Sequence, residues 1–490
     1  MTTQRLNPSG TPVRVGDLVL QTPGFDGIVE LHVGGPAAVR GPAVEGEYDD
    51  VFAAHLEERA VAELRDMTPV GPKRPDPRTR GEQRLVTVAG PEASEDEEQV
   101  ATVQNEDGSI SWHFPMESRA AAPGARRGGG RRTFEIPLEP LEAPPDAATT
   151  RGPIGFLGRK VLKIFGFSIA GEIGEGIVRR WEKSKRPHRV RELLPDNIQT
   201  YDVGELATAR WSDLTKGPAL LFLHGTNSQI HSGYHALPPD DLKLLHERYG
   251  GRVIGFDHPT VSFDPIENVN ALLEMVPDDA RIELDVVCHS RGGLVARELS
   301  EKAAADSPLR VRKVLFVAAP NAGTALAHTK HVKSFLDTYT NFMSLLPSVG
   351  FVDILETVVN VAKEVALEIH ERLKGLQSMN PEGDYLLGRL NDGPKVAATY
   401  AAIAADYEPA EGHKFPLWLR DRLFDEVFEE NDVKVKNDLV VPTEGVFAAN
   451  KNENFPITDI CSFEAREGMH HSGFFGNRKV LEFVHERLEG

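Results

Sequence analysis

Over residues 196–490 this 490-residue chain predicts an α/β fold, a doubly wound and mainly parallel sheet with a helical cap at about 330–379. Three observations predict it. Short apolar runs rich in β-branched residues alternate with helical stretches from about 196 onward, the sign of a parallel sheet covered on both faces. The length allows two to four domains. Charge divides the chain unevenly: −10 over 1–150, +7 over 151–195 and −16 over the remainder. The first block is accordingly expected to be a small β-rich accessory region with disordered segments. The second is expected to be a basic amphipathic helical connector.

In the first block, Val13–Leu20, Ile28–Val33, Leu85–Val88, Ile110–Phe114 and Phe134–Leu138 are bounded by Gly, Pro and Asp and predict strands. Between them lie the Pro/Arg stretch Pro72–Arg80, the acidic run Glu92–Glu98 and the Gly/Arg-rich Ala121–Arg132. These bury too little apolar area to offset the entropy of ordering, and the sequence predicts them as mobile. The connector carries Leu157, Val161, Phe165, Ile169, Ile173, Ile177 and Trp181 at four-residue spacing, which predicts one face of a helix. Two readings stand for it. One is a helix packed on a core with a solvated face; the other is peripheral contact of 154–186 with an anionic membrane.

From 196 onward the predicted strands are Ala219–Leu223, Val253–Phe256, Leu284–Val287, Val311–Ala318 and Thr399–Ala404. In open α/β sheets ligands bind beyond the carboxyl ends of the strands, so the loops that follow these runs are the candidate site. Between Lys330 and Met379, apolar residues from Phe335, Tyr339, Phe342, Met343 and Leu346 to Phe351, Leu355, Val358, Val359 and Ile369 predict the cap. An apolar cap suits the binding of an acyl chain.

Composition excludes several classes. With 55 Lys and Arg against 74 Asp and Glu the net charge is −19, which disfavours a nucleic-acid partner. Two cysteines, Cys288 and Cys461, cannot form a disulfide scaffold. The N-terminus lacks an apolar signal region and no run is long and uncharged enough to span a bilayer, so a cytoplasmic protein is expected.

The third run leads into Cys288-His289-Ser290-Arg291-Gly292-Gly293. A serine on a sharp turn between strand and helix is a nucleophile elbow, which needs small residues two positions before and after. A serine nucleophile needs a base to take its proton and a carboxylate to orient that base, in the chain order Ser, Asp, His for this fold class. Asp438, in Asn437-Asp438-Leu439-Val440-Val441-Pro442, supplies the carboxylate, with Asp406 and Asp432 as competitors. His470 or His471, in Gly468-Met469-His470-His471-Ser472-Gly473-Phe474-Phe475, supplies the base. His224-Gly225, after the first run, forms a turn that can aim a backbone N–H at a reacting carbonyl, and the N–H of Arg291 supplies a second donor. His258, at the end of the second run, is a candidate pocket residue. His224, His231, His235 and His289 show no spacing for a metal site, no Walker-type loop is present, and no cofactor is implied.

The elbow, the His-Gly turn, the Asn437–Pro442 stretch and the His470–Phe475 end resemble the α/β-hydrolase superfamily over about 196–490. The likeness is to bacterial triacylglycerol lipases and esterases and to GPI-inositol deacylases. The resemblance implies Ser290 as nucleophile, Asp438 as acid, His471 rather than His470 as base, and Thr226 and Arg291 as oxyanion donors. By their position at the carboxyl ends of the first two runs, His224, Gly225 and His258 are the expected substrate-binding residues, for an acyl ester or lipid. Two positions depart from it: Cys288 where the family has Gly, and Leu439 where many relatives have Gly. The alternatives are amide or thioester cleavage, a membrane-acting phospholipase effector restrained by its N-terminal region, and an interaction protein with a vestigial hydrolase domain.

Overall fold

The computed structural model describes residues 2–32, 52–70, 85–105, 110–116, 129–137, 159–169, 176–198, 204–304, 306–328, 333, 335–337, 340, 351–393, 397–407, 429–430, 433–449 and 453–489. Its contacts divide into two compact units. One is Met1–Ile177 with Leu336–Pro347 and Phe351–His370; the other is Val178–Phe335 with Ser348–Gly350 and Glu371–Gly490.

Among the described residues the first unit has ten strands: β1 (Thr2–Arg5), β2 (Val13–Val15), β3 (Leu18–Gln21), β4 (Phe25–His32), β5 (Glu57–Pro69), β6 (Leu85–Ala93), β7 (Glu97–Asn105), β8 (Ile110–His113), β9 (Gly130–Pro137) and β10 (Lys160–Ser168). They form two antiparallel sheets, ordered β1-β4-β5-β10-β7-β8 and β2-β3-β6-β9. Both sheets contribute to one core, with Leu20, Val88, Phe134 and Ile136 from the smaller and Val29, Leu64, Val103, Leu162 and Ile164 from the larger. That is sheet-on-sheet packing over interdigitated inner faces.

Three expectations are corrected in this unit. The stripe over 157–181 is not one helix: 160–168 is strand β10, paired with both β5 and β7. A spacing of four fits a helical face, but it is also twice the strand period, so Val161, Phe165 and Ile169 share one side of a strand equally well. Both faces of β10 are buried: Leu162 and Ile164 turn to the core, and Val161, Phe165 and Phe167 are equally covered. Its basic neighbours are engaged rather than free, with Arg159 on Glu63 and Lys160 on Asn105. The amphipathic helix on which membrane contact through 154–186 rests is therefore absent from the described part, where only Ile177–Lys185 is helical. The acidic run Glu92–Glu98, expected to be mobile, carries the chain from β6 in the smaller sheet to β7 in the larger; Glu98 and Arg132 form a buried ion pair at 2.6 Å and Glu97 meets Arg59 at 3.3 Å. The cap helix exists as Phe351–Ala366, but it packs on β7 and groups with this unit, and the Lys363 ammonium lies over the Phe167 ring. Pro72–Arg80, residues 121–128, Leu157, Ile173, Tyr339, Phe342, Met343, Leu346 and Asp432 lie outside the described residues.

The second unit carries β11 (Arg189–Glu192), β12 (Ala219–Leu223), β13 (Val253–Asp257), β14 (Ile282–His289), β15 (Leu309–Val317), β16 (Thr399–Ala405), a two-residue ladder β17 (Glu429–Glu430) and β18 (Val433–Lys434), and β19 (Ile460–Phe463). Seven strands make one sheet in the order β11-β13-β12-β14-β15-β16-β19, parallel except for β11. All five predicted runs are strands of it, so the mainly parallel α/β class holds. Their continuous apolar character follows from burial on both faces; every residue of β12 and β13 is buried. The chain leaves β12 for β13 on one side and returns to β14 on the other. The order therefore reverses between β12 and β14, and the loops after these two strands meet there, at the crevice where such sheets bind ligands.

Candidate active site

The loop after β14 begins with Ser290, whose backbone takes φ 52°, the left-handed region that a side chain enters only under strain. Its N–H donates to the carbonyl of Val317 at 2.9 Å, and the helix Gly292–Arg297 starts at once behind it. Small residues around the turn are a geometric need. A Cβ on Gly292 would stand 2.5 Å from the carbonyl oxygen of Leu223, and one on Gly225 would stand 2.7 Å from Cβ of Ser290. Cys288, in the place of the expected glycine, fits because its thiol turns inward, fully buried, and donates to the carbonyl of Leu315 at 3.4 Å. Burial pushes this thiol up, away from the thiolate a nucleophile needs.

His471 reaches Ser290 from the loop after β19. Its Nε2 lies 2.9 Å from Ser290 Oγ, and its Nδ1 lies 2.8 Å from Asp438 Oδ2. The other oxygen of Asp438 accepts the backbone N–H groups of Val440 at 3.1 Å and Val441 at 2.8 Å. The Asp438 carbonyl accepts the N–H of His471 at 3.0 Å, so main chain and side chain tie these two residues together. The turn at 438 places Leu439 at φ 86°, the left-handed region that glycine enters most readily. His470 points elsewhere, bonding Ser472 Oγ at 3.1 Å and meeting the Tyr407 ring edge-on. Asp406 faces Lys436 instead of a histidine.

The turn after β12 completes the cluster. Tyr234 hydroxyl bridges the ends of the two central strands, donating to the carbonyls of Leu223 and Val287. Gly225 abuts Ser290, as the close Cβ distance shows, and Thr226 follows with its hydroxyl toward the Met379 sulfur at 3.7 Å. His224 and His258 do not line an open pocket. They are buried and stacked, 4.1 Å between ring centres, and the N–H of His258 donates to His224 Nε2 at 3.1 Å. Burial lowers the pKa of His224 to about 4 and that of His258 well below the ordinary histidine value, so both rings are neutral props of the turn. Among the described residues no group of three or more His, Cys, Asp or Glu could hold a metal ion, and no helix is long and apolar enough to cross a membrane.

One further residue was not singled out for this site by its sequence position. His289 Nε2 donates to the carbonyl of His471 at 2.8 Å, and its ring lies 4.9 Å from that of His471. Burial, aided by the His471 ring beside it, lowers the His289 pKa to about 3. An imidazole held neutral in the folded state loses stability in acid. The unfolded chain takes up the proton near pH 6.5, so the stability present above that pH is lost as pH falls toward the folded value. The slope is about 1.4 kcal/mol per pH unit for each such histidine. His289→Gln keeps a donor toward His471 and removes the titration. Urea unfolding between about pH 6 and about pH 5 is expected to show a slope shallower than wild type by about 1.4 kcal/mol per unit; parallel slopes would refute the assignment.

Solved structures similar to this chain include lipase 1 from Pelosinus fermentans, 13% identical over 56% of this chain and 99% of that one, with a TM-score of 0.38. The mature lipase BlEst2 from Bacillus licheniformis is 15% identical over 55% and 91%, with a TM-score of 0.30. The metagenomic carboxyl esterase MGS0156 is 15% identical over 58% and 78%, with a TM-score of 0.32. No curated protein matches the chain. The reversing parallel sheet with a strained serine after its central strand is an α/β-hydrolase fold. A family model, described as a domain of unknown function (DUF7379), matches residues 185–489, and this chain belongs to that family.

Proposed function

We propose that the chain is a serine hydrolase that cleaves carboxylic esters, lipid or fatty-acyl esters by class, through an acyl-serine intermediate. The observation that carries this reading is the hydrogen-bonded series Asp438–His471–Ser290 at the sheet's crevice. Ser290 Oγ attacks the ester carbonyl carbon while its proton passes to His471 Nε2, and Asp438 holds the imidazole in the tautomer that can accept it. The carbonyl oxygen becomes an oxyanion that accepts hydrogen bonds from the backbone N–H groups of Thr226 and Arg291; each such donor contributes about 2.7–4 kcal/mol to the transition state. The carbon–oxygen bond to the alcohol then breaks as His471 returns the proton to the leaving oxygen. Water, deprotonated by the same histidine, releases the carboxylic acid and restores Ser290. Met379, buried beside Thr226, offers apolar surface that suits an acyl chain.

A fluorophosphonate probe tests the reading. The wild type is expected to be labelled and Ser290→Ala is not, and matched panels of fatty-acyl esters, thioesters and amides are expected to rank esters first. An unlabelled wild type would support the vestigial-domain alternative and sink this one.

A further inference from the structure

Behind the turn that carries Thr226 lies a carboxylate with no role so far. Glu182, on the helix Ile177–Lys185, is fully buried. Its Oε1 accepts the backbone N–H groups of Thr260 at 2.8 Å and Val261 at 2.9 Å, and its Oε2 accepts the N–H of Ser262 at 2.8 Å and the Ser262 hydroxyl at 2.6 Å. Three successive N–H groups converging on one point form a concave cradle that favours an anion, and hydrogen bonds to a charged acceptor are about twice as strong as neutral ones.

The loop held in this way touches the crevice at three places. The N–H of Asn227 donates to Thr260 Oγ1 at 3.1 Å, which orients the peptide that follows Thr226 at a residue with φ 57°. The N–H of His258 donates to His224 Nε2, fixing the residue two positions before Thr226. The guanidinium of Arg291 donates to the carbonyls of Phe263 and Gly375, so the residue that supplies the other N–H leans on the same loop. From the outer side, Arg179 of the same short helix donates to the carbonyl of Ser262 at 3.1 Å and pairs with Glu267 at 2.7 Å.

We propose that Glu182 is a positioning residue for the oxyanion site: its carboxylate sets loop 258–263, and that loop sets the backbone donors of Thr226 and Arg291. This rests on the ester-hydrolase reading above. Glu182 touches neither substrate nor Ser290; its contribution is the placement of donors that matter only when charge develops on the carbonyl oxygen.

Glu182→Gln tests it, because the amide keeps the shape but turns one acceptor oxygen into an N–H₂ that faces N–H donors. Fluorophosphonate titration counts the active sites, so kcat is read per competent molecule and misfolded protein drops out. The expected result is a fall in kcat of about 10- to 100-fold with KM nearly unchanged. Affinity for a trifluoromethyl ketone, which forms a tetrahedral oxyanion adduct with the serine, is expected to fall in step. A wild-type kcat per titrated site would overturn the proposal, as would a lower thermal midpoint with ketone affinity intact. Thr260→Val removes the acceptor of the Asn227 N–H and leaves Glu182 in place; it is expected to give the same signature, and it decides the matter if Glu182→Gln does not fold. Failure of the hydrolase reading looks different, since the wild type itself would then neither label nor turn over.

Discussion

If the chain is the ester hydrolase proposed above, Ser290→Ala is expected to lower kcat for ester hydrolysis by about 10⁶-fold, and the Ser290→Ala/His471→Ala double variant is expected to fall no further. At about 1.36 kcal/mol per decade this is about 8 kcal/mol of transition-state stabilisation lost with one oxygen atom. In the proposed mechanism the loss is shared, because a serine hydroxyl is a weak nucleophile unless a base accepts its proton, and Nε2 of His471 lies 2.9 Å from Ser290 Oγ. Once either is gone the other has nothing left to do. What survives is substrate binding and the backbone donors, worth a residual of about 10³–10⁴ over water. Steady-state kinetics on the single and double variants check this. Losses that multiply, each variant costing its full factor on top of the other, would mean that Ser290 and His471 act in separate steps and would refute the shared proton transfer.

The sequence made the second unit more legible than the first, for a physical reason. Strands β12 and β13, most of β16 and the carboxyl-terminal halves of β14 and β15 are covered on both faces, so their residues form short, nearly continuous apolar runs of the kind buried parallel strands give. At the sheet edges that signal fades. β11 reads Arg-Val-Arg-Glu, and its Arg191 is satisfied by Asp257 at 2.8 Å, an ion pair that hydropathy cannot anticipate. In the first unit β5 and β7 carry glutamates within their strands. Glu63 and Glu98 are buried there because Arg159 and Arg132 reach them from strands or segments far along the chain. Pairing at such sequence distances leaves no local trace. At β10 the trace was present but ambiguous, since a spacing of four suits both periods. Local chemistry singled out Ser290, Asp438 and the His470–His471 pair; choosing between the two histidines rested on resemblance, and the structure brings His471 to Ser290. Glu182 and Thr260 had no motif to announce them, because what matters about them is a loop they share in space.

Asp438→Asn is expected to lower kcat by about 10⁴-fold, more than Asp438→Ala. The surroundings of the side chain dictate which way the new amide turns. One oxygen of Asp438 accepts two backbone N–H groups, from Val440 and Val441. In the asparagine variant that position must remain the carbonyl oxygen, because an N–H₂ there would face two donors, at about 1–3 kcal/mol for each unsatisfied group. The N–H₂ is thereby directed at His471 Nδ1, now 2.8 Å from Oδ2. To accept that donor, Nδ1 must lose its hydrogen, and the ring carries its proton on Nε2 instead. Nε2 then points a hydrogen at Ser290 Oγ and cannot take one from it. Alanine removes the orienting carboxylate but imposes no wrong tautomer, so a fraction of His471 stays competent. Steady-state kcat for the two variants, with the imidazole N–H resonances of His471 read by proton NMR, checks both halves of the prediction. If Asp438→Ala proves the more damaged enzyme, or if Asp438→Asn keeps its proton on Nδ1, the carboxylate acts through its charge rather than through the tautomer it enforces.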